Sequence, residues 1–381
     1  STLMSDFPRI SFITYTYNDH HAAAGLLRHT LDFGVPFAEM LVIDDASASP
    51  FVPPEPSLFP SAPRVLRLER KHGPGQAKRA GLNALTGDIF FSLDADIRPH
   101  KHWLKHALSL LARPDTGMVG AQCIPALAGS SLARARYRTF PQRRDDRDAP
   151  KLPGGCMLLR RSVWEQVGGL DDYAGALWED VHLSRKILAS GLRLLSCDSL
   201  PVYETRHLDR AAHCRREAVY YGEAVAAIVK KYGPERYLHD SGPALHAALD
   251  YARRYSDPIL VYAGFMVTLL TLARALRLLA GPKEASGDEA ARALLSEGMR
   301  LFAPYPESLA LLRADLARAG EKELPEAGDA KSMPALAAYF APALSAGVMD
   351  SLEQDWVPRY RQEDAAANFD AHYMQDAARI L

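Results

Sequence analysis

The sequence predicts an α/β unit followed by an all-α unit. From Arg9 to about Cys197, short apolar runs alternate with helix-like segments, the pattern of strands covered by helices. Past about His207 the chain turns to Ala-, Leu- and Arg-rich segments with helical periodicity. The length of 381 residues agrees with more than one folded unit, at roughly 150 residues per domain. Residues 1–207 are therefore assigned to the α/β unit and 208–381 to the helical one.

Within the first unit the expected strands are Ile10–Tyr15, Met40–Asp44, Val65–Leu68, Ile89–Leu93 and Met118–Cys123. These runs are too short and too continuously apolar for amphipathic helices, and they suit parallel strands buried on both faces. Helices are expected between them at His20–Phe33, Gly75–Leu85 and Lys101–Ala112. Six prolines between Pro50 and Pro63 exclude a helix or central strand there, because proline donates no backbone hydrogen bond. A second irregular stretch, Pro125–Pro153, forms the one local basic patch, with Arg134, Arg136, Arg138, Arg143, Arg144, Arg147 and Lys151 facing Asp145, Asp146 and Asp148.

In the second unit, breaks fall at Gly233-Pro234, Gly242-Pro243, Gly281-Pro282 and Pro304–Pro306. Asp288–Ala319 reads as two helices around Pro304-Tyr305-Pro306, similar to one tetratricopeptide-type pair without a second copy. The apolar run Ile259–Ala273 falls short of the roughly 20 residues of a membrane-spanning helix and is followed by Arg274 and Arg277. It reads as a buried helix; no transmembrane helix is expected, and peripheral membrane contact stays open.

Apolar residues make up 48% and charged residues 24%, ordinary for a globular chain and too apolar for a disordered one. Lys plus Arg total 45 against 46 Asp plus Glu, a net charge of -1, so no global field draws the chain to nucleic acid. Cys123, Cys156, Cys197 and Cys214 form no CxxC pair, which argues against a zinc ribbon or a disulfide scaffold. The N-terminus has no basic stretch followed by an apolar run. Together these point to a reducing, cytoplasmic setting, with the inner face of a membrane as the place for any peripheral contact.

The sharpest chemical feature is Phe90-Phe91-Ser92-Leu93-Asp94-Ala95-Asp96, an apolar strand ending in two carboxylates one residue apart. Ligands of open α/β sheets sit beyond the carboxyl ends of strands, and two acids there repel each other unless they share a cation. A hard ion, Mn2+ or Mg2+, bridging to a diphosphate satisfies that requirement. The bland alternative is a solvated turn. A second strand, Met40–Ile43, ends in Asp44 and Asp45, placed to accept hydrogen bonds from a nucleotide base or ribose. Between the two strands, Gly73 and Gly75 open a helix carrying Lys78 and Arg79, cations that can pair with phosphate or form an ordinary cationic helix face.

Further on, Gly154-Gly155 and Gly168-Gly169 flank a short strand and a helix, and Trp178-Glu179-Asp180 begins another helix. An acid there can act as a general base, or simply as a helix cap. His207 follows the short segment Val202–Arg206 and is a candidate metal ligand; His182, two residues past Asp180, competes with it.

Taken in order, these residues resemble a family 2 glycosyltransferase of the GT-A fold, a Rossmann-like nucleotide-diphospho-sugar transferase. The resemblance spans about Arg9 to His207 and rests on Thr14–Asp19, the VIDDAS strand end at Val42–Ser47, the glycine-rich helix, Asp94-Ala95-Asp96 and the GG…GG…WED run. It implies an inverting hexosyltransferase that uses a nucleotide sugar, a UDP-sugar in the first instance, with Mn2+ or Mg2+. By resemblance, Asp94 and Asp96 hold the metal, and His207 completes its site. Asp44 or Asp45 contacts the base, Thr14 and Tyr15 lie along the nucleotide, Lys78 is near the diphosphate, and Asp180, or else Glu179, is the catalytic base.

Two departures stand out. Relatives commonly read Ala-Arg-Asn-x-Gly where this chain reads Ala77-Lys78-Arg79-Ala80-Gly81, so contacts near the diphosphate differ. A QxxRW motif and the multiple membrane helices of processive synthases are both lacking, which favours single addition. The acceptor is a saccharide, a lipid-linked saccharide or a protein, and oligomeric state is not encoded in any motif. A nucleotide-sugar-binding module that recruits partners through its helical half is the second reading. A sugar-nucleotide pyrophosphorylase is disfavoured, because Thr14–Asp19 replaces the phosphate loop it would need.

Overall fold

The computed structural model describes residues 8–125, 145–170, 179–206, 257–280 and 303–318, with isolated positions between 132 and 135, 213 and 226, and 294 and 301. The chain divides into two compact units; the first runs through Ser1–Ala126 and Gln142–Arg206, and the second takes up at His207.

In the first unit the described elements are β1 (Ile10–Thr16), α1 (His20–His29), β2 (Glu39–Asp44), β3 (Arg64–Arg67), α2 (Pro74–Asn83), β4 (Ile89–Leu93), β5 (Ile97–Pro99), α3 (Trp103–Leu111) and β6 (Thr116–Gly120). They continue with β7 (Cys123–Pro125), β8 (Asp146–Asp148), β9 (Cys156–Arg160), α4 (Arg161–Val167), α5 (Glu179–Ala189), β10 (Arg193–Cys197) and β11 (Val202–Glu204). Eight strands form one sheet in the order β3-β2-β1-β4-β9-β6-β10-β8, and β5-β11-β7 form a second, small sheet.

The large sheet is mixed, not parallel throughout as expected. Strands β3, β2, β1 and β4 are parallel, but β9 runs antiparallel to both β4 and β6, and β8 antiparallel to β10. An apolar run buried on both faces reads the same in either direction, so strand composition carries no sign of orientation. The expected strand Met118–Cys123 is also split. After Gly120 the chain leaves the large sheet, Gln122 gives its N–H to Asp198 at 3.1 Å, and Cys123 starts β7 in the small sheet.

Two further expectations change. The proline-rich stretch Pro50–Pro63 contains one 3-10 turn, Pro56–Leu58, with a proline at its start, where no N–H is needed. The basic stretch Pro125–Pro153 is not irregular throughout, since Asp146–Asp148 forms β8. There the charges pair outward from the stretch: Arg147 with Asp198 at 3.5 Å and Asp148 with Arg193 at 2.8 Å. Arg136, Arg138, Arg143 and Arg144 lie outside the described residues.

Side-chain alternation builds a core on each face of the sheet. Phe12, Val42 and Phe91 face one core with Leu26 and Leu27 of α1 and Trp103 and Leu104 of α3. Ile13, Ile43 and Phe90 face the other, with Ala77 and Leu82 of α2, Trp164 of α4 and Leu183 of α5. Because β1 lies between β2 and β4, the chain leaves it to one side first and returns on the other. That strand-order reversal opens a crevice at the carboxyl ends of β1 and β4.

In the second unit, α6 (Pro258–Ala280) packs with α7 (Pro306–Arg318), and Ser308 Oγ donates to Pro258 O at 2.9 Å. Helix α6 corrects the length expected from its apolar run. Arg274 and Arg277 continue the helix instead of ending it, so Pro258–Leu276, 19 residues, has the length and apolarity of a membrane span. Of that span 72% is buried within the protein, as in a core helix.

Candidate active site

The crevice is built from backbone placement first. Strand β4 carries Asp94 to its carboxyl end, and the Asp94 N–H bonds Gly155 O at 2.9 Å, fastening the acid to the glycine pair that precedes β9. In the small sheet β11 runs antiparallel to β5, opposing Glu204 to Ile97. The next residue, Thr205, returns its N–H and hydroxyl to Asp96 O at 2.8 and 3.0 Å. Sequence-distant residues 94–96, 154–155 and 205–206 thereby meet.

Lys78 is the centre of the charge arrangement. Its Nζ lies 3.0 Å from Asp94 Oδ1, 3.0 Å from Glu179 Oε1 and 3.1 Å from Gly154 O. The side chain is buried, and its ammonium also stands 5.8 Å from the Tyr15 ring centroid, within cation–π range. Burial disfavours the charge, but Asp94 and Glu179 overcome it and hold the lysine well above its ordinary pKa. Burial pushes the Glu179 carboxyl up, Lys78 pulls it back, and Asp180 raises it again, leaving it above the usual range.

Asp180 accepts the Gly154 N–H at 2.9 Å. It is thus tied to the glycine pair, and that bond is not a cap of its own helix. Glycine at 154 lets the backbone come close to the charged cluster. A Cβ there would stand 3.0 Å from both Glu179 Oε1 and Lys78 Nζ and 3.2 Å from Asp180 Cβ.

The second acid of the triplet has its own cation. Asp96 Oδ2 lies 3.3 Å from Arg206 Nε, and Arg206 also reaches Asp19 Oδ2 at 3.1 Å. Asp94 keeps 37% of its side chain exposed, whereas that of Asp96 is 11% exposed. The carboxylates are hard oxygen donors of the type that Mn2+ or Mg2+ takes, and a divalent ion held by Asp94 and Asp96 would compete there with Lys78 and Arg206.

The acids after β2 have internal partners. Fully buried Asp44 accepts from Ser47 N and Phe51 N, each at 2.9 Å, and from Arg67 at 2.8 Å. Burial alone would raise its pKa, but the hydrogen bonds from Ser47, Phe51 and Arg67 outweigh it and hold the carboxyl below its usual range. Asp45 accepts from His72 N at 2.7 Å and Gly73 N at 2.8 Å and so fixes the entry to α2. Gly73, at φ 86°, turns the chain there through the left-handed region that glycine tolerates.

Tyr15 bonds Ser92 at 3.0 Å, and burial pushes its phenol far up. Thr14 is fully buried, its hydroxyl without a hydrogen-bond partner. Arg79 turns away from Lys78 and donates to Leu170 O at 3.1 Å. His207 lies outside the described residues, as does the side chain of His182.

The structure therefore joins Tyr15, Lys78, Asp94, Glu179 and Asp180 directly. It sets Asp96 beside them on a separate cation and places Asp44 and Asp45 at neighbouring loop bases. The sequence marks Lys78 as a phosphate partner and not as a bridge between acids, and it signals no role for two further participants, Arg206 and Asp19, although each stands at the end of an element bordering the crevice.

Residues 11–168 match the family described as Glycosyl transferase family 2. A pre-mycofactocin glycosyltransferase of Mycobacterium tuberculosis is 29% identical over 223 residues, covering 55% of this chain and 46% of the relative. Polypeptide N-acetylgalactosaminyltransferase 5 of Rattus norvegicus is 24% identical over 193 residues, covering 42% of this chain and 20% of the relative. The chain thus spans about half the length of the first relative and less of the second. Among solved structures, a mannosyltransferase from Pyrobaculum calidifontis in complex with GDP-Man and Mn2+ is similar at 20% identity and TM-score 0.45, over 89% of this chain and 86% of that one. S. aureus TarS 1-349 in complex with UDP-GlcNAc aligns at 17% identity and TM-score 0.43, over 77% and 81% of the two chains. The acid pair at the end of β4 and most of the mixed α/β sheet thus fall in the same stretch, residues 11–168, that matches glycosyl transferase family 2.

Proposed function

We propose that the α/β unit transfers a sugar from a nucleoside-diphosphate donor, a UDP-sugar, to an acceptor hydroxyl with inversion at the anomeric carbon. The observation that carries this reading is the buried ammonium of Lys78, 3.0 Å from both Asp94 and Glu179, which holds an acid at the end of β4 and an acid of α5 at one site. The acceptor hydroxyl attacks from the face opposite the departing diphosphate, and Asp180 takes its proton as the new bond forms.

Asp180 suits that role better than Glu179. Glu179 is committed to Lys78 and raised by burial, whereas Asp180 is oriented by the Gly154 N–H. Glu179 acts as a positioning residue through Lys78. Asp94 and Asp96 would hold the divalent ion, which when bound supplies charge stabilisation at the leaving diphosphate. Asp44 and Asp45 shape the nucleotide end of the crevice by fixing the loop after β2 and the start of α2.

The remaining residues, 208–381, are proposed as a helical domain serving the acceptor, and the basic stretch from Arg134 to Lys151 as a surface for an anionic one. Cys123, Cys156, Cys197 and Cys214 form no disulfide, which supports the cytoplasmic setting.

Slow donor hydrolysis requires no acceptor, so a panel of UDP- and GDP-sugars incubated with the protein and Mn2+ tests the reading. One UDP-sugar is expected to be hydrolysed, and only with metal present. Failure to bind or hydrolyse any donor would overturn it.

A further inference from the structure

On the opposite side of the large sheet's run of strands, at the β10–β8 edge, three side chains of different chemistry converge. His106 of α3, Asp146 of β8 and Cys197 of β10 place ligand atoms within 4.8 Å of one another. We propose that this cluster is a second metal site, for a borderline-soft divalent ion such as Zn2+. It would staple the edge strand β8 to α3 and β10, separately from the hard-ion site at Asp94 and Asp96.

Each contribution follows from the fold. Antiparallel pairing sets Asp146 directly opposite Cys197, so their side chains leave the sheet on the same face. Helix α3 is fixed above them by Trp103 Nε1, which donates to Cys197 O at 3.0 Å. His106 follows three residues later on the same helix face, and its Nε2 lies 2.5 Å from Asp146 Oδ2.

The carboxylate is already oriented. Its Oδ1 accepts from Ser199 Oγ at 2.7 Å and Ser199 N at 3.3 Å, which leaves Oδ2 turned toward the imidazole. Supporting hydrogen bonds of this kind are what ordinarily orient a ligating carboxylate. The thiol is fully buried, while His106 and Asp146 keep 38% and 22% of their side chains exposed, so the cluster has an inner sulfur and an open rim for ion entry.

Sulfur, imidazole and carboxylate together select zinc or cobalt over Mg2+ or Mn2+, which take all-oxygen shells. Water would fill the fourth position. The staple's consequence is local, because β8 is the short edge strand that the basic stretch itself adds to the large sheet.

Cobalt titration of the metal-stripped full chain tests the proposal, since a thiolate on Co2+ gives a charge-transfer absorption that oxygen ligands do not. One equivalent of Co2+ is expected to raise that band, and one equivalent of Zn2+ to abolish it. The band should be lost in Cys197→Ser and in His106→Gln and kept in Asp96→Asn. Zn2+ should also raise the thermal midpoint of the wild-type chain by several degrees, and not that of His106→Gln, whose half-exposed position tolerates the change. No thiolate band in the wild type, or a band that survives both substitutions, would overturn the proposal. An equal midpoint rise in His106→Gln would do the same.

Discussion

Asp180→Asn is expected to bind the donor with unchanged affinity and to transfer sugar about 10²–10⁴ times more slowly, the usual contribution of a positioned general base. Asparagine is nearly isosteric, and its amide oxygen still accepts the Gly154 N–H that orients the residue at 2.9 Å. What it lacks is a basic oxygen. Because the proposed base touches the acceptor and not the diphosphate, the loss should appear in kcat while metal-dependent donor binding persists. Measuring both in one preparation separates the base from a merely structural acid. Normal turnover by this variant would remove Asp180 from the mechanism and move the role to Glu179, whose Glu179→Gln variant would then show the larger loss.

Lys78→Met is expected to be among the most destabilising single changes in the α/β unit. It removes a buried cation and strands Glu179, which is itself buried, beside Asp180, and it leaves Asp94 without its partner. Breaking a buried ion pair by deleting one member costs about 3–5 kcal/mol, chiefly because the other charge is left uncompensated. The excess should be relieved in part by Glu179→Gln, which neutralises the stranded acid, so the double variant should be more stable than Lys78→Met alone. Denaturant midpoints of the three variants give the coupling directly. A loss below about 1 kcal/mol for Lys78→Met, or a double variant no better than the single, would mean that the ammonium is not the electrostatic centre of the site.

Much of this was legible in the sequence, for physical reasons that differ by element. Strand β4 was read at its full extent, Ile89–Leu93, because a short apolar run ending in Asp94 and Asp96 has both a burial signal and a stop signal. Helix α2, expected at Gly75–Leu85, lies within two residues of that range at both ends, because Gly73 and Gly75 mark its start. The direction of β9 was not readable, since its pairing with β4 and β6 is decided by chain path and not by composition.

In the site, the acids were legible because carboxylates at strand ends are costly unless used. The bridging role of Lys78 was not, because it depends on Gly154 and Glu179, which lie 76 and 101 residues away. Arg206 was hidden for the same reason: only the pairing of β11 with β5 returns it to Asp96. The cross-strand meeting of Asp146 with Cys197 likewise requires the register of β8, a strand of three residues inside a stretch whose charge suggested a loop.

Asp94 and Asp96 are proposed as the ligands of a divalent ion through which a nucleoside-diphosphate sugar binds. Calorimetric titration of the hydrolysable donor identified in the panel, with and without Mn2+, into wild-type protein and Asp96→Asn tests this most directly. Mn2+ is expected to raise donor affinity at least tenfold, about 1.4 kcal/mol, in the wild type and to have no effect on donor affinity in Asp96→Asn, although the variant keeps the wild-type circular dichroism. An equal response to Mn2+ in both proteins would contradict it.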